Sequence, residues 1–430
     1  MSHSVAFHTL GCRLNQSETA SIQNSLDGHG YDVVDSGENA DIVVINTCTV
    51  TEHGDADTRK LVNKIVRKNP KARIALVGCQ AQVQKEKLAQ LPNVRWIVGN
   101  QHKMNLLDIF NEHPNPVETQ VITPTIERKP FVIPVASIDR AHTRANIKIQ
   151  DGCDFFCSFC EIPYARGRAR SRVFEDILLE ARALAAAGHK EIILTGINIG
   201  TYEYEGKGLL DVVRALEQVD DILRIRISSI EPTTIPEDLV DLMKPEHKLC
   251  PYLHIPLQSG HDDILTAMKR KYSADEFLQC VQYYRDRVPG ICIGTDVIVG
   301  FPGETDEHFA ATEKLLREGP VDYFHVFSYS PRYMAKSMTM VNVVPSHVIS
   351  RRSQILRDLS QRKRRLHQES LKGTVQRVIW EERKDHFWVG FTDNYVRIRL
   401  NSQNDLCGKA HYVTLGDTEE SYVKAQMYGI

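Results

Sequence analysis

Six of the ten cysteines fall into two sets of three whose placement fits metal chemistry. In QDGCDFFCSFCEIPYARGR (150–168), Cys153, Cys157 and Cys160 are spaced C-x3-C-x2-C directly after a predicted strand. Three thiolates this close can hold three irons of a [4Fe–4S] cube and leave the fourth iron open to a small molecule. A structural zinc site would need four ligands in paired spacings, and neither Glu161 nor His142 supplies an obvious fourth. The second set is dispersed: Cys12 ends HTLGC, Cys48 ends VVINTC and Cys79 ends IALVGC. Each thiol thus follows a predicted parallel strand, on the edge of an open α/β sheet where ligands bind. Together the three could hold a second cluster; singly, each could equally be a small buried hydrophobe. Cys250, Cys280, Cys292 and Cys407 share no such relation and read as packing residues.

Small and polar residues recur at the ends of later predicted strands. LTGINIG (194–200) offers Thr195, Gly196 and Asn198; SSIEP (228–232) offers Ser228, Ser229 and Glu231; HIPLQSG (254–260) offers His254, Gln258 and Ser259. Residues at strand C-terminal ends line the mouth of a β/α barrel, although polar groups there also cap the following helices, as Ser259 and Asp262 could. GTDVIVGFPGET (294–305) joins a buried strand to a turn whose glycines permit a close ligand approach or a left-handed backbone.

The cysteine spacing and the aromatic before the third cysteine resemble the radical S-adenosylmethionine (SAM) superfamily. That resemblance implies that the open iron chelates the amino and carboxylate groups of SAM, that an electron from the cluster generates a 5′-deoxyadenosyl radical, and that the three strand-end segments contact SAM. The N-terminal cysteine set in front of the barrel, with a small barrel behind it, resembles the radical SAM methylthiotransferases. Their membership implies two [4Fe–4S] clusters, one activating a carbon–hydrogen bond and the other delivering sulfur, with SAM also the methyl donor. It implies as partners tRNA and a reducing electron-transfer protein, and leaves the sulfur donor open. TLGCRLNQSE (9–18), SSIEP and IGTDVIVGFPGE (293–304) look most like the branch acting on carbon 2 of threonylcarbamoyladenosine beside the tRNA anticodon. YMAKSMTM, after FSYSPR (327–332), departs from the family's small-residue run. Isopentenyladenosine tRNA or a ribosomal protein as substrate, or a noncatalytic iron–sulfur RNA-binding protein, are the competing readings.

The elements that must position these residues follow from periodicity. At 430 residues, 42% hydrophobic and 25% charged, the chain is globular and too long for one ordinary core. The expected class is α/β. Residues 1–112 alternate VAFHTL, DIVVIN and ARIALVG with helical patterns, as a parallel sheet does. A Pro- and Thr-rich linker spans 113–142. Residues 143–368 carry six strand–helix repeats, which fits an incomplete (β/α)6 barrel. Residues 369–430 hold short alternating runs, the mark of a small antiparallel barrel, and resemble the RNA-binding TRAM domain. There Arg377, Arg383, Lys384, Arg397 and Arg399 could meet phosphates, and Phe387, Trp388 and Tyr395 could stack on bases or fill the barrel's core. The net charge of −2 hides a basic helix between 349 and 371 that could dock a polyanion. The start MSHSVAFHTLGC has no secretory pattern, and no run of about 18 apolar residues occurs, so the expectation is a cytoplasmic protein with reduced thiols and no membrane association.

Overall fold

The chain is described by a computed structural model covering residues 3–49, 52–134, 136, 138 and 143–429, without the side chains of residues 52 and 53. His142 and the end of the expected linker lie outside the described residues.

The first unit is a six-stranded, wholly parallel sheet. Its order is Tyr31–Val34, His3–Thr9, Ile42–Thr47, Arg73–Gly78, Val94–Val98 and Gln120–Ile122. Ile42–Thr47 is buried throughout, and its unbroken apolar start suits a strand covered on both faces. One face packs on Ile22 and Leu26 of helix Arg13–Leu26 and on Phe110 of helix Leu106–Glu112; the other packs on Val62 of helix Glu52–Lys68. The last strand, Gln120–Ile122, comes from the stretch read as linker. Three residues are too few to show a period, and only its pairing with Trp96–Val98 defines it.

The second unit is the incomplete barrel. Arg144–Lys148, Glu191–Thr195 and Arg224–Ile227 form one parallel sheet; Tyr252–His254, Cys292–Val299 and Tyr323–Ser328 form another. Single bridges from Ile225 to Leu249 and from Ser229 to His254 join them. Among the described residues the first and last strands do not pair, so the barrel stays open on one side. Helices such as Phe174–Ala186, Ala274–Arg287 and Asp306–Glu318 cover it with one continuous apolar core. Local signals start them where the sequence says: Ser273 Oγ accepts from the Glu276 amide at 3.1 Å while the Ser273 amide donates to Glu276 at 2.7 Å, a capping box.

Helix Ser346–Ser370 leads to a closed five-stranded barrel of Val375–Lys384, Phe387–Thr392, Arg397–Asn401, Val423–Met427 and Ala410–Thr418. This barrel docks on the strand starts of the larger one. Arg224 and Arg226, both fully buried, share the Glu191 carboxylate and reach past it. Arg224 Nη1 donates to the Phe391 carbonyl at 2.8 Å and Arg226 Nη1 to the Asp393 carbonyl at 2.9 Å. Burial alone would raise the Glu191 carboxyl; the two guanidiniums outweigh it and hold the group at about 2. No helix among the described residues is long and apolar enough to cross a membrane.

Glu191→Gln leaves buried Arg226 without a carboxylate and Arg224 with Asp393 alone, and is expected to cost roughly 3–5 kcal/mol in urea denaturation at neutral pH. A carboxyl held below its ordinary value of 4.5 stabilises fully above that value and loses its contribution as pH falls toward about 2. The stability gap between wild type and variant should therefore close across that window.

Candidate functional site

The strand C-terminal ends of the first sheet and of the larger barrel face each other across one cavity of about 630 Å³. All six cysteines of the two sets line it. So do Thr195 and Gly196, Ser228, Ser229 and Glu231, and His254 and Gln258. Gln258 adopts a left-handed backbone (φ 70°), an uncommon conformation for a non-glycine residue. Asn198 and Ser259 do not line the cavity. Asn198 is buried and accepts from Thr234 Oγ1 at 2.9 Å, and Ser259 Oγ accepts from the His261 amide at 3.3 Å. For these two the turn-supporting role is the one observed. The turn at Gly300–Gly303 also lies outside the cavity, under Ile349.

In the first set Cys12 is exposed at the start of helix Arg13–Leu26, while Cys48 and Cys79 are buried at the ends of their strands. A Cβ on Gly11 would lie 2.6 Å from Cys48 Sγ, and its φ of +94° also demands glycine. Asn15 Nδ2 donates to the carbonyls of Leu10 at 2.7 Å and Thr47 at 3.1 Å, fastening the loops of Cys12 and Cys48 together. Asn100 Nδ2 stands 3.6 Å from Cys79 Sγ and donates to the Ala165 carbonyl of the barrel at 2.7 Å.

The second set sits on a tight loop. Gly152 (φ +72°) admits the Arg168 carbonyl where a Cβ would collide at 2.2 Å. The Phe155 amide donates to Cys153 Sγ and the Ile162 amide to Cys160 Sγ, both at 3.4 Å, and Arg270 Nη1 donates to Cys157 Sγ at 3.2 Å. Arg270 also pairs with Glu231, tying the cysteine loop to a strand end across the barrel mouth. Burial pushes the Cys153 thiol up to about 11, with the Cys157 sulfur adding to the effect, so metal binding there must displace a proton. In neither set do all three sulfurs lie within 4.8 Å of one another. Zinc–sulfur bonds of 2.3 Å in a tetrahedron would bring thiolates to about 3.8 Å, so both sets suit a larger, multi-iron body better than a single ion. Glu161 is engaged elsewhere: its carboxylate accepts from Thr49 Oγ1 at 2.7 Å, the Met334 amide at 2.8 Å and Arg332 Nε at 3.4 Å.

Sequence reasoning missed the charged residues that hold the site together. Glu18 is fully buried and receives Lys103, Lys148 Nζ at 2.7 Å and Arg166 Nη1 at 3.0 Å. Asp151 receives Lys148 at 2.6 Å, Arg166 at 3.1 Å and Arg170 at 3.2 Å. Burial would raise the Glu18 carboxyl, but Arg166, Lys103 and Lys148 hold it well below the usual range. Arg332 is likewise buried, with Asp55 at 2.6 Å, and brings the loop after it against the cysteine loop, where the Ser337 amide donates to the Ser158 carbonyl at 2.8 Å. A fully polar pattern in QSE (16–18) gives no sign of burial.

The aromatics expected to stack on RNA are partly committed elsewhere. Trp388 lies in the core of the small barrel, and Tyr395 packs between Phe391 and Tyr252 at centroid distances of 5.0 and 4.7 Å. Arg377, Arg397 and Arg399 each have a carboxylate neighbour, whereas Arg383 and Lys384 are exposed.

Comparison with known proteins matches residues 147–316 to the radical SAM superfamily and residues 4–99 to an uncharacterised protein family, UPF0004. Threonylcarbamoyladenosine tRNA methylthiotransferase MtaB of Aquifex aeolicus is 39% identical, over 94% of this chain and 98% of that protein. The chain belongs to the radical SAM tRNA methylthiotransferase family. MtaB of Bacillus subtilis is 36% identical over 94% of this chain and 92% of its own. The tRNA-2-methylthio-N(6)-dimethylallyladenosine synthase of Lachnoclostridium phytofermentans is 32% identical over 97% and 94%. Among solved structures, the radical SAM methyltransferase TsrM of Kitasatospora setae, with cobalamin and a [4Fe-4S] cluster bound, shares the fold: TM-score 0.56, 16% identity, 77% of each chain. Membership of the family makes this chain an enzyme and implies a [4Fe–4S] cluster, SAM and a tRNA substrate.

Glu18→Gln leaves the buried Lys103 without a carboxylate and takes one of two counter-charges from Lys148 and Arg166. It should lower the stability of the folded chain by at least about 3 kcal/mol, read by urea denaturation, and expose the junction between the two units to limited proteolysis.

Proposed function

We propose that this enzyme adds a methylthio group to carbon 2 of the adenine of threonylcarbamoyladenosine next to the tRNA anticodon, using two [4Fe–4S] clusters. The observation that carries this reading is the single cavity lined by two separate three-cysteine sets. The MtaB relatives and the string TLGCRLNQSE support the choice of nucleoside.

Cys153, Cys157 and Cys160 would hold the cluster that binds SAM, and Cys12, Cys48 and Cys79 the second. When bound, the clusters and SAM supply a radical to open an unactivated carbon–hydrogen bond, the sulfur and the methyl group. The chain's own residues position and insulate. Glu231, fixed by Arg270, and the strand-end groups Thr195, Gly196, Ser228, Ser229, His254 and Gln258 would hold SAM over the open iron. Arg270 donates to Cys157 Sγ, which favours its thiolate. Cys12 is exposed where Cys48 and Cys79 are buried, so a base from RNA would approach the second set from the Cys12 side. A reducing electron-transfer protein of the cytoplasm would serve the first cluster.

Replacing Cys12, Cys48 and Cys79 with Ala tests the division of labour. The anaerobically reconstituted variant should lose half its iron, still cleave SAM to 5′-deoxyadenosine, and form no methylthio nucleoside. Ala at Cys153, Cys157 and Cys160 should abolish both reactions. Normal product from a folded variant lacking the first set would refute the proposal. For RNA, Arg383→Ala with Lys384→Ala should weaken tRNA binding and lower the slope of log affinity against log salt by roughly one per lost phosphate contact, measured by filter binding between 50 and 200 mM salt.

A further inference from the structure

Three guanidiniums line the cavity: Arg13, Arg166 and Arg270. Two are neutralised from within, Arg166 by Glu18 and Asp151, and Arg270 by Glu231. Arg13 differs. Its described contacts are a hydrogen bond from Nη2 to Tyr395 Oη at 2.6 Å and an approach of 5.8 Å to that residue's ring; no carboxylate of the described residues pairs with it. It is half-buried, beside the exposed cavity-lining residues His325 and Phe327, at the gap where the first and last barrel strands do not pair. A guanidinium that is partly desolvated, pinned from one side by a phenol and left without a counter-charge is a ready receptor for a carboxylate, which its planar fork binds bidentately.

The family's two nucleoside substrates named among the relatives differ in this respect. A threonylcarbamoyl group ends in a carboxylate, whereas a dimethylallyl group is pure hydrocarbon. Both hang from the exocyclic nitrogen on carbon 6 of adenine, and carbons 2 and 6 flank the same ring nitrogen. A base that presents carbon 2 to the second cysteine set therefore carries its side group along the same edge of the cavity. Arg13 immediately follows Cys12 in the chain, so the receptor and the expected sulfur source share one helix start.

We infer that Arg13 is the specificity residue that reads the threonyl carboxylate of the substrate nucleoside, with Tyr395 of the small barrel holding the guanidinium in place. The inference rests on the proposed substrate. Tyr395 Oη, by fixing one edge of the guanidinium, leaves its other edge to the ligand, and couples the seating of the RNA-binding barrel to the readiness of the receptor. A dimethylallyl substrate in the same position would leave Arg13 desolvated and unpaired, a penalty that rejects it without any steric clash.

The test uses the reconstituted full-length enzyme and anticodon stem-loop RNA carrying either threonylcarbamoyladenosine or its carboxylate methyl ester. Wild type is expected to prefer the free acid by on the order of 10- to 100-fold in kcat/KM, the usual worth of a hydrogen bond to a charged group. The same preference should appear in binding measured by fluorescence anisotropy. Arg13→Gln should lose that preference, treating acid and ester alike, and Arg13→Lys should restore part of it. Iron content per chain, measured for each variant, identifies any loss caused by damage at neighbouring Cys12. Equal use of acid and ester by wild type, or an undiminished preference in Arg13→Gln, overturns the assignment while leaving the substrate reading intact. Failure of wild type to modify either RNA overturns the substrate reading itself.

Discussion

The architecture depends on burying charge between two sheets. Glu18 and Asp151 face Lys103, Lys148, Arg166 and Arg170, two carboxylates against four cations, in a space closed to water. Removing these groups from solvent is expensive, and only close mutual pairing repays it. Glu18 and Lys103 belong to the first unit, and the other four to the barrel, so the pairing is satisfied only when the two sets of strand ends stand face to face. A hydrophobic interface of equal area would hold the units together but permit sliding; directional ion pairs fix one register. The excess of two positive charges also has a purpose in its position. Arg166 and Lys103 both interact electrostatically with the Cys79 sulfur, so the network would offset negative charge on that thiol.

The same device recurs at the other end of the barrel with a different result. Arg224, Arg226 and Glu191 close the strand starts, and the turn through Asp393 and Tyr395 fits over them. Stacked on Phe391 and tilted against Tyr252, Tyr395 extends from the small barrel toward Arg13. The RNA-binding expectation for the C-terminal barrel thus divides by face. Its core takes Trp388, its inner turn joins the larger barrel, and Arg383 and Lys384 are exposed.

Much of this was legible in the sequence because it depends on local pattern. Alternation and apolar runs give the six strands of the larger barrel, and a thiol or hydroxyl at the close of a run falls at the strand's end, which is why Cys48, Cys79, Thr195 and Ser228 all line the cavity. What depends on partners far away was not legible. Glu18 and Arg166 are 148 residues apart, and a buried Glu in a helix start looks no different in sequence from an exposed one. Asn198 and Ser259 behave differently: strand-end position brings a residue to the rim, but the backbone turn decides whether its side chain faces the cavity or supports the turn. Gln120–Ile122 was hidden for a third reason, since its strand character is conferred wholly by the neighbouring edge.

The cavity also constrains how a tRNA can be used. A volume of about 630 Å³ is that of a site for small molecules, and it cannot admit a stem or a stacked loop. His325 and Phe327 of the last barrel strand line it, the latter 43% exposed. A substrate nucleoside must therefore leave its stack to enter, as bases do in enzymes that act on them. Unstacking costs a few kcal/mol, and little inside a cavity built to hold SAM and thiolates can repay it before the base arrives. On the proposed function, repayment would come from RNA held outside the cavity, with the exposed Arg383 and Lys384 as candidate contacts, and from whatever feature of the nucleoside the cavity's edge can grip. On the same reading, Arg13, which no carboxylate of the described residues pairs, would act while the base is still choosing between stack and site.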